Sequence, residues 1–89
     1  MSTTTEEVGG SPFAQEDFRE RLRELPPSAK LVAKVLEDDA PLSQGQLAET
    51  SLLPDRTVRY ALNRLEESEL IDSRYSFTDA RKQVYFLTA

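Results

Sequence analysis

The hydrophobic period of this chain changes once, and that change limits the folds open to it. Between Phe13 and Leu65 apolar residues recur at three- and four-residue spacings, the pattern of helices that bury one face. After Leu70 the period drops to two: Ile71, Ser73, Tyr75 and Phe77 alternate with Asp72, Arg74 and Ser76, as in a half-buried strand. With 89 residues there is room for one small domain, so helices and strands must share a core.

Proline punctuates the helical part. Met1 to Pro12 has no apolar periodicity and reads as a disordered tail over residues 1–12, leaving 13–89 as the folded domain. A first helix over 13–25 places Ala14, Phe18, Leu22 and Leu25 on one face, and Pro26-Pro27 ends it. Ser28 is positioned to cap a second helix that buries Leu31, Val32, Val35 and Leu36 and closes at Asp38-Asp39-Ala40-Pro41. Leu42, alone between Pro41 and Ser43, reads as one short strand. Ser43-Gln44-Gly45-Gln46 has the Ser-x-x-Gln form of a capping box and opens a short helix to about Thr50 that buries Leu47 and Ala48. After a turn at Ser51-Leu52-Leu53, Pro54 at the first helical position and Asp55 start a helix to about Ser68 with Val58, Ala61, Leu62 and Leu65 inward. Thr78 to Lys82 is a polar loop leading to a second strand, Gln83 to Thr88, which completes a hairpin. The order predicts a mainly helical α+β domain of winged helix-turn-helix type: a three-helix core, an extra N-terminal helix and a C-terminal β-hairpin wing. Tyr75, Phe77, Val84, Tyr85, Phe86 and Leu87 are expected to be core that fixes the hairpin to the helices.

Composition narrows the chemistry. There is no cysteine and no histidine, which removes disulfides, thiolate nucleophiles, the commonest general base and the commonest metal ligand. The adjacent acids Asp38-Asp39 and Glu66-Glu67 diverge on a helix and do not supply paired carboxylates. An enzyme is not expected, nor a cofactor or a metal. The N-terminus has neither a basic nor an apolar leader segment, and the longest apolar run, Val84 to Leu87, is far short of the ~20 residues of a membrane span. A cytoplasmic protein without membrane association is the expectation.

Charge is uneven. The net charge is −5, yet residues 54–89 are neutral because Arg56, Arg59, Arg64, Arg74, Arg81 and Lys82 sit there, and Arg outnumbers Lys eight to three. Arg suits bidentate contact with phosphates and bases, and a local patch steers association more than the net sum does.

The ordered set Leu25-Pro26-Pro27-Ser28-Ala29-Lys30-Leu31-Val32, Leu47-Ala48-Glu49, Leu53 to Leu62, Arg64-Leu65-Glu66, Asp79-Ala80-Arg81 and Leu87-Thr88 resembles the small winged-helix transcriptional regulators of archaea, which are similar to the MarR-type DNA-binding domain. The resemblance covers about 64 of the 89 residues. It departs from the family pattern twice. Glu69 stands where a glycine usually precedes the first wing strand, and Ser51 and Leu52 occupy a helix-helix turn that often holds one. Both positions are expected to carry strain or a different local turn.

A recognition helix must bury one face and offer the major groove long donors on the other. Opposite Val58, Ala61, Leu62 and Leu65 lie Arg56, Arg59, Tyr60, Asn63, Arg64 and Glu67, with Thr57 between the faces. Arg56 and Arg59, in the half entering the groove first, are assigned to guanine or phosphate contacts. Asn63 is a candidate adenine reader, and Thr57 is suited to a phosphate or a thymine methyl. Two readings stand for Tyr60: packing on the preceding helix, or reaching a phosphate oxygen. The ordinary alternative for this face is a solvated one with pairs such as Arg59–Asn63 and Arg64–Glu67. At the hairpin tip Arg81 is assigned to the narrow minor groove, Asp79 to holding its guanidinium and Lys82 to a phosphate. The resemblance implies the same role for Arg81, since MarR-type wings carry Asp-x-Arg. Arg74 is expected to pair with a carboxylate or lie beside the backbone.

The expected partner is double-stranded DNA, bound sequence-specifically by a transcriptional regulator, with a homodimer through Phe18, Leu22 and Leu25 of the first helix. The alternative is a winged helix used for protein–protein contact in transcription machinery, which the acidity of residues 1–53 favours. The acidity also suits a halophilic, high-salt cytoplasm, where repulsion from a polyanion is screened within about 3 Å at 1 M. On that reading the melting temperature falls on dialysis to low salt; a melting temperature indifferent to salt removes the halophilic assignment.

Overall fold

The structure, a computed structural model, describes residues 16–88. The tail expected over 1–12, and Phe13 and Ala14 of the first helix, lie outside the described residues. In chain order the elements are α1 (Glu16–Arg23), α2 (Pro27–Asp39), β1 (Leu42–Ser43), α3 (Gln44–Ser51), α4 (Asp55–Glu67), β2 (Ile71–Tyr75) and β3 (Gln83–Leu87).

Each helix begins and ends for a chemical reason. Pro27 occupies the first turn of α2, where its missing N–H is no loss, and Pro26 is the N-cap with no side-chain cap. Ser28 therefore lies inside the helix and does not cap it, contrary to expectation. The α2 stripe is also displaced. Ala29, Val32, Ala33 and Leu36 are buried, whereas Leu31 is 40% exposed and Val35 only half-buried. Small side chains at 29 and 33 allow close approach, and α2 makes its largest helix contact with α4, whose Ala61 is likewise fully buried. Ser43 ends β1 and starts α3 at once: its hydroxyl accepts from the Gln46 N–H at 3.2 Å, and its own N–H donates to Gln46 Oε1 at 2.9 Å. The capping box is present as the sequence predicts.

α3 stops at Leu52, which adopts the left-handed conformation (φ 63°) and donates its N–H to the Ala48 carbonyl. Pro54 is the N-cap of α4 rather than its first residue, and its carbonyl accepts from Thr57 and Val58. Val58, Ala61, Leu62 and Leu65 are buried as expected. The end of α4 forms a Schellman turn: the Leu70 N–H reaches the Leu65 carbonyl, the Glu69 N–H reaches that of Glu66, and Leu65 and Leu70 are both buried. Its left-handed position is Glu69 (φ 61°). The two departures from the glycine pattern are thus the only non-glycine residues with positive φ among those described.

The three strands run antiparallel in the order β1-β3-β2, with Leu42 opposite Tyr85 and Ile71 opposite Leu87. β1 is two residues long and supports β3 only at Val84 and Tyr85. The expectation that the hairpin's apolar residues are core holds in part: Tyr85 and Leu87 pack against the buried cluster, whereas Tyr75 and Phe77 do not. Tyr75 is 62% exposed and Phe77 93%, while Val84, Tyr85, Phe86 and Leu87 are half-buried. Leu36, Leu47, Leu65 and Leu70 fill the centre of the core.

α1 folds back onto its own domain. Phe18, Leu22 and Leu25 are buried there, and Arg21 Nη1 donates to the Ser68 carbonyl at 3.3 Å. These three side chains are already covered and do not present a dimer face, a correction to the sequence reading.

A non-glycine residue held in the left-handed region costs about 1 kcal/mol or more. Leu52→Gly and Glu69→Gly, both at exposed positions, are therefore expected to raise the denaturant midpoint, each by up to about 1 kcal/mol of stability. Leu47→Ala, in the packed centre, is expected to lose about 2–5 kcal/mol in the same measurement.

Candidate nucleic-acid interface

The outward face of α4 follows from its buried one. With Val58, Ala61, Leu62 and Leu65 inside, Arg56, Arg59, Tyr60 and Asn63 are exposed and Thr57 and Arg64 are half-buried. Arg56, Arg59 and Asn63 make no side-chain hydrogen bond or ion pair to another described residue; of the two pairs in the solvated-face alternative, Arg59–Asn63 does not form and Arg64–Glu67 does. Arg64 behaves differently. Its Nη1 donates to Tyr60 Oη at 3.1 Å, its guanidinium lies 5.9 Å from the Tyr60 ring centre, and its Nε is 3.8 Å from Glu67. Tyr60 is thereby held by Arg64, one turn along its own helix, and is 48% exposed.

The wing tip is braced by its own polar groups. Ser76 N–H donates to the Lys82 carbonyl at 2.8 Å and closes the stem, and Lys82 N–H donates to the Asp79 carbonyl at 2.9 Å. Asp79 Oδ1 accepts from both the backbone N–H and the Nε of Arg81, at 3.1 and 3.4 Å. The Arg81 side chain is 92% exposed, so the pair orients the guanidinium without covering it. Such an exposed pair adds little stability. Among the described residues Arg74 pairs with no carboxylate; its guanidinium lies 5.0 Å from the Phe77 ring centre.

Tyr85 connects helix to wing. Burial pushes its phenol above the usual tyrosine range; the Glu66 carboxylate adds to this, and Arg59 opposes it. Arg59 and Glu66 of α4 therefore lie within electrostatic reach of Tyr85. On another side Tyr85 lines a groove of about 480 Å³ with Ser43, Gln44, Glu49, Lys82 and Gln83. Gln44 at the start of α3 donates to the Asp55 carbonyl at the start of α4, at 3.4 Å. The N-terminal end of α3 and the base of the wing thus line one groove, and the Gln44–Asp55 hydrogen bond ties the start of α4 to that end of α3. Tyr85 packs against the core, as the sequence predicts, and its pairing with Leu42 of β1 holds it at the edge of this groove.

Residues 33–72 match the family model described as winged helix-turn-helix DNA-binding. The fold is a winged helix-turn-helix.

Solved structures share it over most of the chain. The S. aureus MepR–DNA complex superposes with a TM-score of 0.69 at 21% identity, covering 83% of this chain and 60% of that one. A MarR family transcription regulator gives 0.70 at 21%, covering 79% and 47%. A mutant of Lactococcus lactis ZitR gives 0.69 at 26%, covering 72% and 43%. The chain thus spans about half the length of these structures. No curated protein sequence matches it. Among the described residues no helix of this winged helix is long and apolar enough to cross a membrane.

Because the folded state holds the Tyr85 proton more tightly than an unfolded chain does, its contribution to stability is complete below pH ~10 and is lost as pH rises through the raised folded value. An absorbance titration of the wild type minus that of Tyr85→Phe is expected to isolate a phenol ionising above the ordinary range; a difference curve centred at the ordinary value would contradict the junction described.

Proposed function

We propose that this winged helix is a sequence-specific, double-stranded DNA-binding transcriptional regulator, with α4 in the major groove and the wing in the adjacent minor groove. The observation that supports this is the set of open cations on α4 and on the wing: Arg56 and Arg59 are exposed and unpaired on α4, and Arg81 stands open at the wing tip, oriented by Asp79. Exposed, unpaired guanidinium groups suit a polyanion.

In this reading Arg56 and Arg59 contact guanine edges or phosphates, and Thr57, nearer the start of α4, contacts a phosphate or a thymine methyl. Asn63 reads adenine. The Arg64–Tyr60 hydrogen bond sets the Tyr60 ring to face the backbone, and Arg64 acts there as a second positive charge. Arg81, oriented by Asp79, enters the minor groove, and Lys82 neutralises a phosphate beside it. MepR was solved bound to DNA on the same fold, which supports the reading. It is a reading of a binding protein, not an enzyme. Its setting is a cytoplasm, and the charge of −5 suits the saline cytoplasm of a halophilic archaeon. A homodimer on a palindromic site belongs to the same reading, with its contact outside the buried Phe18, Leu22 and Leu25. Protein–protein contact is the rival, favoured by the acidity of residues 1–53.

A salt series of duplex binding tests this. Affinity is expected to fall steeply in log salt, with the slope reduced by about one for Arg81→Ala and likewise for Arg56→Ala or Arg59→Ala where each meets a phosphate. Unchanged binding by all three variants would remove the site assignment and favour the protein–protein reading.

A further inference from the structure

Phe77 is the most exposed large apolar side chain among the described residues, at 93%. Slack in the loop does not explain it. Ser76 Oγ bonds both the Thr78 hydroxyl, at 2.9 Å, and the Thr78 N–H, at 3.2 Å, and the Ser76 N–H closes the stem onto Lys82. The ring itself is held by the Arg74 guanidinium at 5.0 Å. Phe77 is thus presented in a defined position at the start of the wing tip, and Arg81 occupies the matching position at its end.

The chemistry around the ring selects a partner. Arg74 beside it, with Arg81 and Lys82 further along the same loop, calls for an anionic surface, while the bare phenyl calls for a flat, apolar slot within that surface. Duplex DNA offers both, phosphates outside and a stacked interior that an apolar wedge can enter from the minor groove. We propose that Phe77 inserts between adjacent base pairs where the wing meets the minor groove, kinking the duplex there. The inference rests on the duplex-binding reading above and deepens it. Arg74 steadies the ring and sits beside a flanking phosphate. Insertion is cheapest at easily unstacked pyrimidine–purine steps, so the wing favours TA over AA steps at that position.

The test uses the full chain and an alternating A·T duplex in which 2-aminopurine replaces adenine at spaced TA steps, so that every binding register is equivalent. Unstacking raises 2-aminopurine fluorescence. Wild-type protein is expected to raise it on saturation. Phe77→Ala should lose the rise and bind about tenfold more weakly with an unchanged salt slope. Phe77→Leu, still an apolar wedge, should keep part of the rise, and Arg81→Ala should lower the salt slope. Binding by the wild type without a rise, or a rise retained in Phe77→Ala, overturns insertion and leaves duplex binding intact. Failure of the wild type to bind any duplex at low salt overturns both.

Discussion

The turn that follows α4 sets the angle between that helix and the wing. At Ser68-Glu69-Leu70 the helix is closed by two backbone hydrogen bonds, and Leu70 drops back onto Leu65 in the core. β2 begins at the next residue, so the direction of the hairpin is inherited from this turn. The same three residues gather the distant parts of the chain. Arg21 of α1 donates to the Ser68 carbonyl, and Thr88 after β3 bonds Leu70 through its N–H and Glu69 through its hydroxyl. A left-handed glutamate at the centre of that knot is strained, and the surrounding hydrogen bonds hold it there.

The fold sorts the arginines by use. Arg21 closes a helix end, Arg64 is occupied by Tyr60 and Glu67, and Arg74 lies over Phe77. Arg56 and Arg59 are left facing outward, and Arg81 is aimed by Asp79 while remaining open to solvent. An acidic chain can in this way keep exposed cations free of partners. Net charge governs long-range repulsion, which salt screens, whereas contact chemistry depends on which guanidinium groups are left unpaired at one surface.

Much of the fold was legible because its signals are local. The Ser43–Gln46 capping box, the inward stripe of α4 and the one-residue cue at Leu42 each depend on residues within a turn or two of one another. The family's glycine pattern likewise pointed to Leu52 and Glu69 as special positions, and those are the two with positive φ. Apart from the starts of α2 and α4, placed one or two residues off at Ser28 and Pro54, the misreadings concern what lies opposite a residue. On α2 a stripe including Leu31 and Val35 has the better hydrophobicity, but Ala29 and Ala33 are chosen because a helix passes close there. Tyr75 and Phe77 alternate like core residues, yet the two-residue β1 leaves their end of the hairpin without a floor. The apolar face of α1 was equally suited to a partner or to its own domain, and its own domain took it.

Sequence alone therefore determined the order of elements, the Ser43–Gln46 capping box, the inward face of α4 and the concentration of five of the eight arginines in residues 54–89, since each follows from covalent neighbours and helical or strand periodicity. Tertiary structure decided which arginines stay unpaired, which aromatics remain uncovered and that helix and wing meet at Tyr85. Those outcomes depend on distances between segments remote in the chain, and no periodicity encodes such distances.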